Sequence, residues 1–186
     1  MKNKKTILLV ASLIVVLVIA SVAYNSLSKG NQPDLKELEQ SSEQKEKVML
    51  PEFNLIDING NEVSSLDLLG KPTIINFWAT WCGYCMKEMP DFQTAYETYG
   101  DKINFVMIDA VDGKQETEEA GRAYIEEKGY TFPVYFDTQM EGVISCGVTG
   151  FPSTLFVSAD GEVLLGWPSY LSGDRLMEMA KSMIGE

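Results

Sequence analysis

The sequence from residue 77 to residue 85 reads Phe77-Trp78-Ala79-Thr80-Trp81-Cys82-Gly83-Tyr84-Cys85. The apolar run from Thr73 to Trp78 that leads into it predicts a buried strand, and the segment from Cys85 to Tyr99 predicts a helix. Two cysteines therefore lie where a strand ends and a helix begins. The free N–H groups and the dipole at a helix N-terminus stabilise an anion such as a thiolate. The pattern thus predicts a reactive Cys82 and a site of disulfide exchange.

The composition excludes several other kinds of chemistry. The chain has no histidine, so a Ser-His-Asp triad, a Cys-His pair or a His-ligated metal site cannot be built from it. Its three cysteines, Cys82, Cys85 and Cys146, fit a redox pair and one further residue better than a four-ligand zinc site. From residue 48 onward the sequence has 22 acidic residues against 8 basic ones, a net charge of −14. Such a domain should repel nucleic acid, so we expect no nucleic-acid partner. Because histidine is absent and the cysteines are too few, we also expect no metal, and we expect no cofactor.

The N-terminus has the pattern of a membrane-targeting segment. A start with three lysines is followed by an apolar run at 7–23 that only Ser12 and Ser21 interrupt. About 17 apolar residues just reach the length of a spanning helix, which favours a retained anchor. The alternative is a signal peptide cleaved at Ser21-Val22-Ala23 and a secreted product. Because the lysines should stay in the cytoplasm, we expect the rest of the chain to lie outside it.

Two further segments follow the predicted anchor at 1–23. Residues 24–47 are polar and predict a flexible tether. Residues 48–186 alternate strand and helix patterns, with hairpin turns at Asn59-Gly60 and at 159–161. This order predicts an α/β fold in which helices pack on a mixed sheet. We predict strands at 53–57, 61–63, 73–78, 103–109, 132–136, 153–157 and 163–167, and helices at 85–99, 116–127, 139–144 and 171–184.

The cysteine motif resembles the active site of thioredoxins. The continuation Met86-Lys87-Glu88-Met89-Pro90 is similar to the TlpA/ResA-like branch, whose members are membrane-tethered thiol-disulfide oxidoreductases outside the cytoplasm. The resemblance covers about residues 48–186 and includes Gly147-Val148-Thr149-Gly150-Phe151-Pro152-Ser153-Thr154. It implies a thioredoxin-like fold with an N-terminal β-hairpin extension.

Three residues are the candidate catalytic groups. Cys82, at the helix start, should attack a disulfide as the thiolate, and the more buried Cys85 should resolve the resulting mixed disulfide. Many thioredoxins carry a buried aspartate at the position of Asn76 in this chain. The resemblance implies that Glu88 takes its place as a partly buried carboxyl that exchanges a proton with a thiol. The alternative for Glu88 is a solvated side chain on the helix surface.

Five residues are candidates for substrate binding. The resemblance implies that the Phe151–Pro152 peptide bond is cis, that Pro152 faces the cysteines, and that Phe151 presents its backbone to an extended substrate segment. An ordinary proline before a strand is the alternative. The candidate set is Trp81, Gly83, Tyr84, Phe151 and Pro152. Tyr84 lies between the cysteines, where the residue tunes the redox potential, and a Gly-Tyr pair also occurs in bacterial disulfide isomerases.

The leading functional hypothesis is a reductase of exported proteins. The resemblance implies electrons from a membrane dithiol donor and targets such as oxidised apocytochrome c or a methionine sulfoxide reductase. A disulfide isomerase or oxidase on the same fold is the first alternative. A thiol peroxidase is the second, although Ala79 stands where peroxiredoxins have threonine, and a non-enzymatic metal-binding or docking module is the third. Cys146 fits a small buried apolar residue, and its alternative is an auxiliary thiol.

Overall fold

The computed structural model describes residues 17–22, 24 and 47–185. Residues 17–22 and 24 are helical and belong to a first unit, Met1–Glu46, and the second unit is Lys47–Glu186. Most of the predicted anchor and tether lies outside the described residues. Among the residues that are described, no helix combines the length and the apolar character needed to cross a membrane. All that follows concerns the second unit.

A seven-stranded mixed sheet forms the centre of the second unit, as residues 47–185 show. Its strands are β1 (Asn54–Asp57), β2 (Glu62–Ser64), β3 (Thr73–Trp78), β4 (Asn104–Asp109), β5 (Val134–Phe136), β6 (Ser153–Val157) and β7 (Val163–Trp167). The strand order is β2-β1-β5-β4-β3-β6-β7. Strands β3, β4 and β5 are parallel, and the two flanking hairpins pair antiparallel to them. The predicted N-terminal hairpin thus adds to the β5 edge of the sheet.

Three helices and a short 3₁₀ segment lie between these strands, and a fourth helix follows the last strand. They are the 3₁₀ turn Ser65–Leu68, α1 (Gly83–Tyr99), α2 (Glu118–Lys128), α3 (Glu141–Ser145) and α4 (Gly173–Ile184). Residues of α1, α2 and α4 join one apolar cluster with side chains of the sheet such as Trp78. Val143 of α3 belongs to a second cluster, together with Phe77 and Ile108. This architecture is the mixed α/β fold that the sequence predicts.

Strand β3 is an interior strand of the sheet, paired with β4 on one side and with β6 on the other. All six of its residues are buried, as expected for a strand that has neighbours on both edges and is covered on both faces. Its predicted bounds are confirmed, as are those of β6 and β7. The end of β3 therefore places the cysteine motif at the carboxyl edge of the sheet.

Several predicted element boundaries were wrong by a few residues, for identifiable reasons. Helix α1 starts at Gly83 rather than at Cys85, since Cys82 is its N-cap. Helix α2 starts after Glu116 because Thr117 is the N-cap and its side-chain oxygen accepts a hydrogen bond from the N–H of Ala120. The β5 strand begins after Pro133, whose carbonyl oxygen still accepts from the β4 backbone.

The start of α4 differs because of a long-range hydrogen bond. The pattern predicted a helix from Leu171, but the helix begins at Gly173 with Ser172 as its N-cap. The N–H of Leu171 instead donates to Oε2 of Glu88 at 2.9 Å. A side chain of α1 thus binds the backbone just before α4.

Candidate active site

The two cysteines form a disulfide at the N-terminus of α1. Cys82 is the N-cap residue, and the N–H of Cys85 donates to its Sγ at 3.2 Å. An N-cap side chain accepts hydrogen bonds that the first helical turn cannot satisfy internally. Cys82 is 6% exposed and Cys85 is fully buried. The sulfur nearer the surface is thus also the one that the helix N-terminus can stabilise as an anion.

Glu88 lies on the same helix, one turn after Cys85, and is 1% exposed. Its Oε1 accepts a hydrogen bond from the side-chain amide of Asn76 at 2.8 Å, and its Oε2 accepts from the N–H of Leu171. Burial raises the pKa of the Glu88 carboxyl to about 7, against the opposing effect of these hydrogen bonds. A carboxyl with a pKa near neutrality can both give and take a proton at physiological pH.

Asn76 connects Glu88 to the opposite wall of the site. Its side-chain nitrogen also donates to Oγ1 of Thr154, at 3.1 Å, on the neighbouring strand β6. Thr154 follows the Phe151–Pro152 peptide, which is cis as the resemblance implies. The hydroxyl of Thr154, the amide of Asn76 and the carboxyl of Glu88 therefore form one buried hydrogen-bonded row.

Aromatic side chains border the disulfide on the outside. The indole of Trp81 is 47% exposed and meets the ring of Phe151 edge to face, with 5.8 Å between centroids. Pro152 is buried beside Phe151. Gly83 is exposed, and a Cβ atom at its position would meet nothing within 4 Å. Of the predicted binding residues, Trp81 and Phe151 are thus brought into contact.

The fifth predicted binding residue has neighbours that the sequence analysis did not select. Tyr84 is 66% exposed, and its ring lies 6.2 Å from that of Tyr170. The ammonium of Lys87 lies 4.6 Å above the Tyr170 ring. Tyr170 is 86 positions away in the sequence, so no local pattern could indicate this group. A basic and aromatic patch thus adjoins the cysteine pair in an otherwise acidic domain.

A second residue that the sequence analysis did not select contacts Thr80 of the cysteine motif. Glu116 is fully buried, and its Oε2 accepts from both the N–H and the hydroxyl of Thr80, at 2.6 and 2.7 Å. The buried Asp109 lies nearby; burial, with the charges of Glu116 and Glu118, raises its pKa to about 8. The sequence pattern placed Glu116 in a polar helix, and nothing in its local context predicted burial.

Cys146 is the C-cap of α3. It is half-buried and lines a pocket of about 190 Å³ with residues of β6 and β7, and neither Cys82 nor Cys85 contributes to that pocket. Burial raises the pKa of its thiol to about 12. Within the described part of the chain, no three acidic or cysteine side chains are grouped as metal ligands.

Known proteins share both the sequence and the fold. Residues 47–165 match the AhpC/TSA family. The thiol-disulfide oxidoreductase ResA of Bacillus subtilis is 31% identical over 166 residues, which cover 88% of this chain and 86% of that protein. ResA of Bacillus thuringiensis is 33% identical over 125 residues, covering 64% of this chain and 70% of the relative. The exposed lipoprotein thioredoxin of Streptococcus pneumoniae superposes with a TM-score of 0.63 at 22% identity, covering 71% of this chain and 99% of that one.

Proposed function

This chain belongs to the AhpC/TSA family and is a thiol-disulfide oxidoreductase of the ResA kind with a thioredoxin-like fold, and from this premise we propose that it reduces disulfides of exported proteins through Cys82 and Cys85. The observation that carries the proposal is the asymmetry of the pair. One sulfur caps the helix N-terminus near the surface, and the other is fully buried one turn further on. This arrangement supports separate roles for the two sulfurs, with Cys82 as the nucleophile and Cys85 as the resolving thiol.

The reaction transfers two electrons to the substrate. The Cys82 thiolate attacks one sulfur of the substrate disulfide, forms a mixed disulfide and releases the other substrate sulfur as a thiolate. Cys85, once deprotonated, then attacks Sγ of Cys82 and releases the second substrate thiolate. The products are a substrate dithiol, after two protonations, and the Cys82–Cys85 disulfide of the structure.

Glu88 is proposed to handle the protons of this cycle. Its carboxyl is held by Asn76 and by the N–H of Leu171, and it lies on the helix that carries Cys85. Removal of the Cys85 proton is needed before Cys85 can attack, because the thiolate is the nucleophile. A group with a pKa of about 7 can accept that proton without carrying a permanent buried charge.

The substrate is proposed to bind as an extended segment across the wall formed by Trp81 and Phe151. An extended chain can pair its backbone with that of Phe151, and the exposed indole of Trp81 offers apolar contact beside it. Gly83 and Pro152 complete this surface, because neither places a bulky exposed side chain next to Cys82. Tyr84, an exposed residue between the two cysteines in the sequence, is the fifth proposed contact.

The site of action is proposed to be the outer surface of the cell membrane. The apolar run at 7–23 and its lysine-rich start support a retained anchor with the catalytic domain outside the cytoplasm. Disulfide-containing substrates persist there because the compartment is oxidising. A membrane dithiol donor would regenerate the reduced pair, and oxidised apocytochrome c or a methionine sulfoxide reductase are the proposed classes of target.

The decisive experiment is trapping of the mixed disulfide. A full-length Cys85→Ser variant should retain its targets on Cys82, since the resolving thiol is missing. We expect discrete complexes that disappear on reduction and that are absent from a Cys82→Ser/Cys85→Ser control. If no complex forms in cell envelopes that hold oxidised exported proteins, exchange through Cys82 is ruled out.

The direction of electron flow is tested by the reduction potential of the pair. Equilibration of the purified domain with glutathione should give a value of about −250 mV or lower, as for thioredoxin rather than for the strong oxidants near −120 mV. A value close to −120 mV would make the chain an oxidase. Tyr84 is the residue to exchange if the potential is intermediate, because it lies between the two cysteines.

A further inference from the structure

Glu116 binds the loop that leads to the nucleophile Cys82. Its Oε2 accepts two hydrogen bonds from Thr80, one from the backbone N–H at 2.6 Å and one from the hydroxyl at 2.7 Å. Thr80 precedes Cys82 by two residues, in the loop between β3 and α1. Short hydrogen bonds to a carboxyl group are among the strong ones in proteins. The contact fixes the backbone from which Cys82 is presented.

Glu116 is itself held rigidly. The side-chain Oδ1 of Asp112 accepts from the N–H groups of Lys114, Gln115 and Glu116, at 2.8 to 2.9 Å. The carbonyl oxygen of Glu116 accepts from the N–H of Gly113 at 3.0 Å. A closed turn therefore fixes the Glu116 backbone at the point where the loop after β4 enters α2.

The sheet brings the two loops together. Strands β3 and β4 are parallel neighbours, and Trp78 pairs with Asp109 at their carboxyl ends. The ladder continues by one hydrogen bond, from the N–H of Ala110 to the carbonyl oxygen of Trp78 at 2.9 Å. The loop to the cysteines and the loop to α2 thus leave the sheet side by side, and Glu116 joins them across 36 residues of sequence.

We propose that Glu116 is a positioning residue for the redox pair, which acts through Thr80 to hold Cys82 in the orientation that Cys85 attacks. The step that needs this orientation most is ring closure, in which Cys85 attacks Sγ of Cys82 and forms the Cys82–Cys85 disulfide. In that step the attacking sulfur, the sulfur of Cys82 and the leaving sulfur must lie nearly in line. Glu116 is fully buried, which argues for a specific role. Burying a carboxyl costs free energy because the group loses its hydration, and its hydrogen bonds must offset that cost. The inference rests on exchange through Cys82 and is independent of the direction of electron flow.

The test uses 5,5′-dithiobis(2-nitrobenzoate) with the reduced chain in a Cys146→Ser background. Attack by Cys82 releases one nitrothiobenzoate, and ring closure by Cys85 releases a second, so the two steps are measured separately by absorbance. We expect Glu116→Ala to slow the second release about 10-fold, because misplacing a reacting group by about 1 Å can slow a reaction by up to about 100-fold. Glu116→Gln keeps an acceptor for Thr80 and should stay within about 3-fold of the parent.

A double-mutant cycle separates positioning from general destabilisation. Thr80→Val removes the hydroxyl donor, and we expect it to slow ring closure, whereas Thr80→Ser should restore the parent rate. If Glu116 acts through Thr80, the Thr80→Val/Glu116→Ala double variant should be no slower than Glu116→Ala alone. The exposed Glu119, three residues away, supplies the matched control: Glu119→Ala should leave both releases unchanged.

Three results would overturn the proposal. The first is a Glu116→Ala variant that melts at a lower temperature but closes the ring at the parent rate. The second is simple additivity of the two substitutions. If Glu116→Ala does not fold, Thr80→Val decides: slower ring closure supports the proposal and an unchanged rate is the third overturning result. Failure of the parent to release even the first nitrothiobenzoate would instead contradict exchange through Cys82 itself.

Discussion

Cys82 lies at the N-terminus of one helix, and Cys146 lies at the C-terminus of another. Cys82 is the N-cap of α1, where its sulfur accepts a hydrogen bond from a backbone N–H. Cys146 is the C-cap of α3, and its own N–H donates to the carbonyl oxygens of Gly142 and Ile144. A helix N-terminus presents donors and partial positive charge, whereas a C-terminus presents acceptors and partial negative charge. A cysteine thiolate is therefore stabilised at a helix N-terminus and destabilised at a helix C-terminus.

The buried acids beside the two thiols sharpen this contrast. Asp137, whose Oδ2 accepts from the N–H of Val143 at 3.0 Å, adds to the effect of burial in raising the pKa of Cys146. Glu88 shares a helix with Cys85, and burial raises its pKa to about 7, so its carboxyl exchanges a proton near neutral pH. Burial raises the pKa of the Cys146 thiol most, so the surroundings of a cysteine, rather than its presence, decide whether it is reactive.

The largest expected effect comes from removing each thiol in turn. Cys82→Ser should lower the rate of disulfide exchange at least about 1000-fold, because no other described sulfur combines surface access with a helix N-terminus. Cys146→Ser should leave the rate within about 2-fold of the parent. Reduction of a protein disulfide, followed under single-turnover conditions, gives both rates. A comparable loss in Cys146→Ser would show that Cys146 takes part in the cycle.

A smaller effect is expected for the reactivity of the two thiols in the reduced, folded domain. With a pKa of about 12, Cys146 is about one ten-thousandth thiolate at pH 8. We expect iodoacetamide to label Cys82 at least about 100-fold faster than Cys146 at that pH, as mass spectrometry of the modified peptides can measure.

Unfolding supplies the control for this labelling experiment. In concentrated guanidinium chloride the two rates should approach each other, since both thiols then return to an ordinary pKa of about 8.5. Fast labelling of Cys146 in the native domain would contradict the environment described for it.

The smallest effect concerns stability and comes from Glu88. Its pKa is about 7 in the folded domain against 4.5 ordinarily, so the folded state holds the proton more tightly than the unfolded chain. Protonated Glu88 therefore stabilises the folded state, and its contribution to the free energy of unfolding is at most about 3 kcal/mol. This contribution is fully present below about pH 4.5 and is lost as the pH rises to about 7. Glu88→Gln cannot titrate, so relative to the parent it should gain stability between these pH values.

Urea denaturation of the oxidised domain at pH 4.5 and at pH 8 measures this change. Only the pH dependence is compared, because the amide also alters the hydrogen bonds to Asn76 and Leu171. Glu119→Gln, at an exposed position on α2, is the matched variant and should show no such gain. The same free-energy difference between Glu88→Gln and the parent at both pH values would mean that the Glu88 carboxyl has an ordinary pKa.

Much of the fold could be predicted because its signals are local. The apolar run of β3 and the turn at Asn59-Gly60 gave correct elements, and in that turn Gly60 has a φ of 86°, a conformation that glycine adopts readily. Two of the boundaries that were wrong, at Glu116 and Leu171, are places where a residue binds a distant partner instead of its own helix. Local periodicity carries no information about such contacts.

The sequence by itself determined the chemistry of this protein. Two cysteines at a strand-to-helix junction, no histidine and an apolar N-terminus predict thiol exchange outside the cytoplasm, because each depends on residue type and short spacing. Only the tertiary structure decided how that chemistry is supported. The burial of Glu88, the contact of Glu116 with Thr80 and the patch around Tyr170 join residues 12 to 86 positions apart. Burial and hydrogen bonding across such separations arise when the sheet is assembled, and they set the pKa values and orientations that the motif alone leaves open.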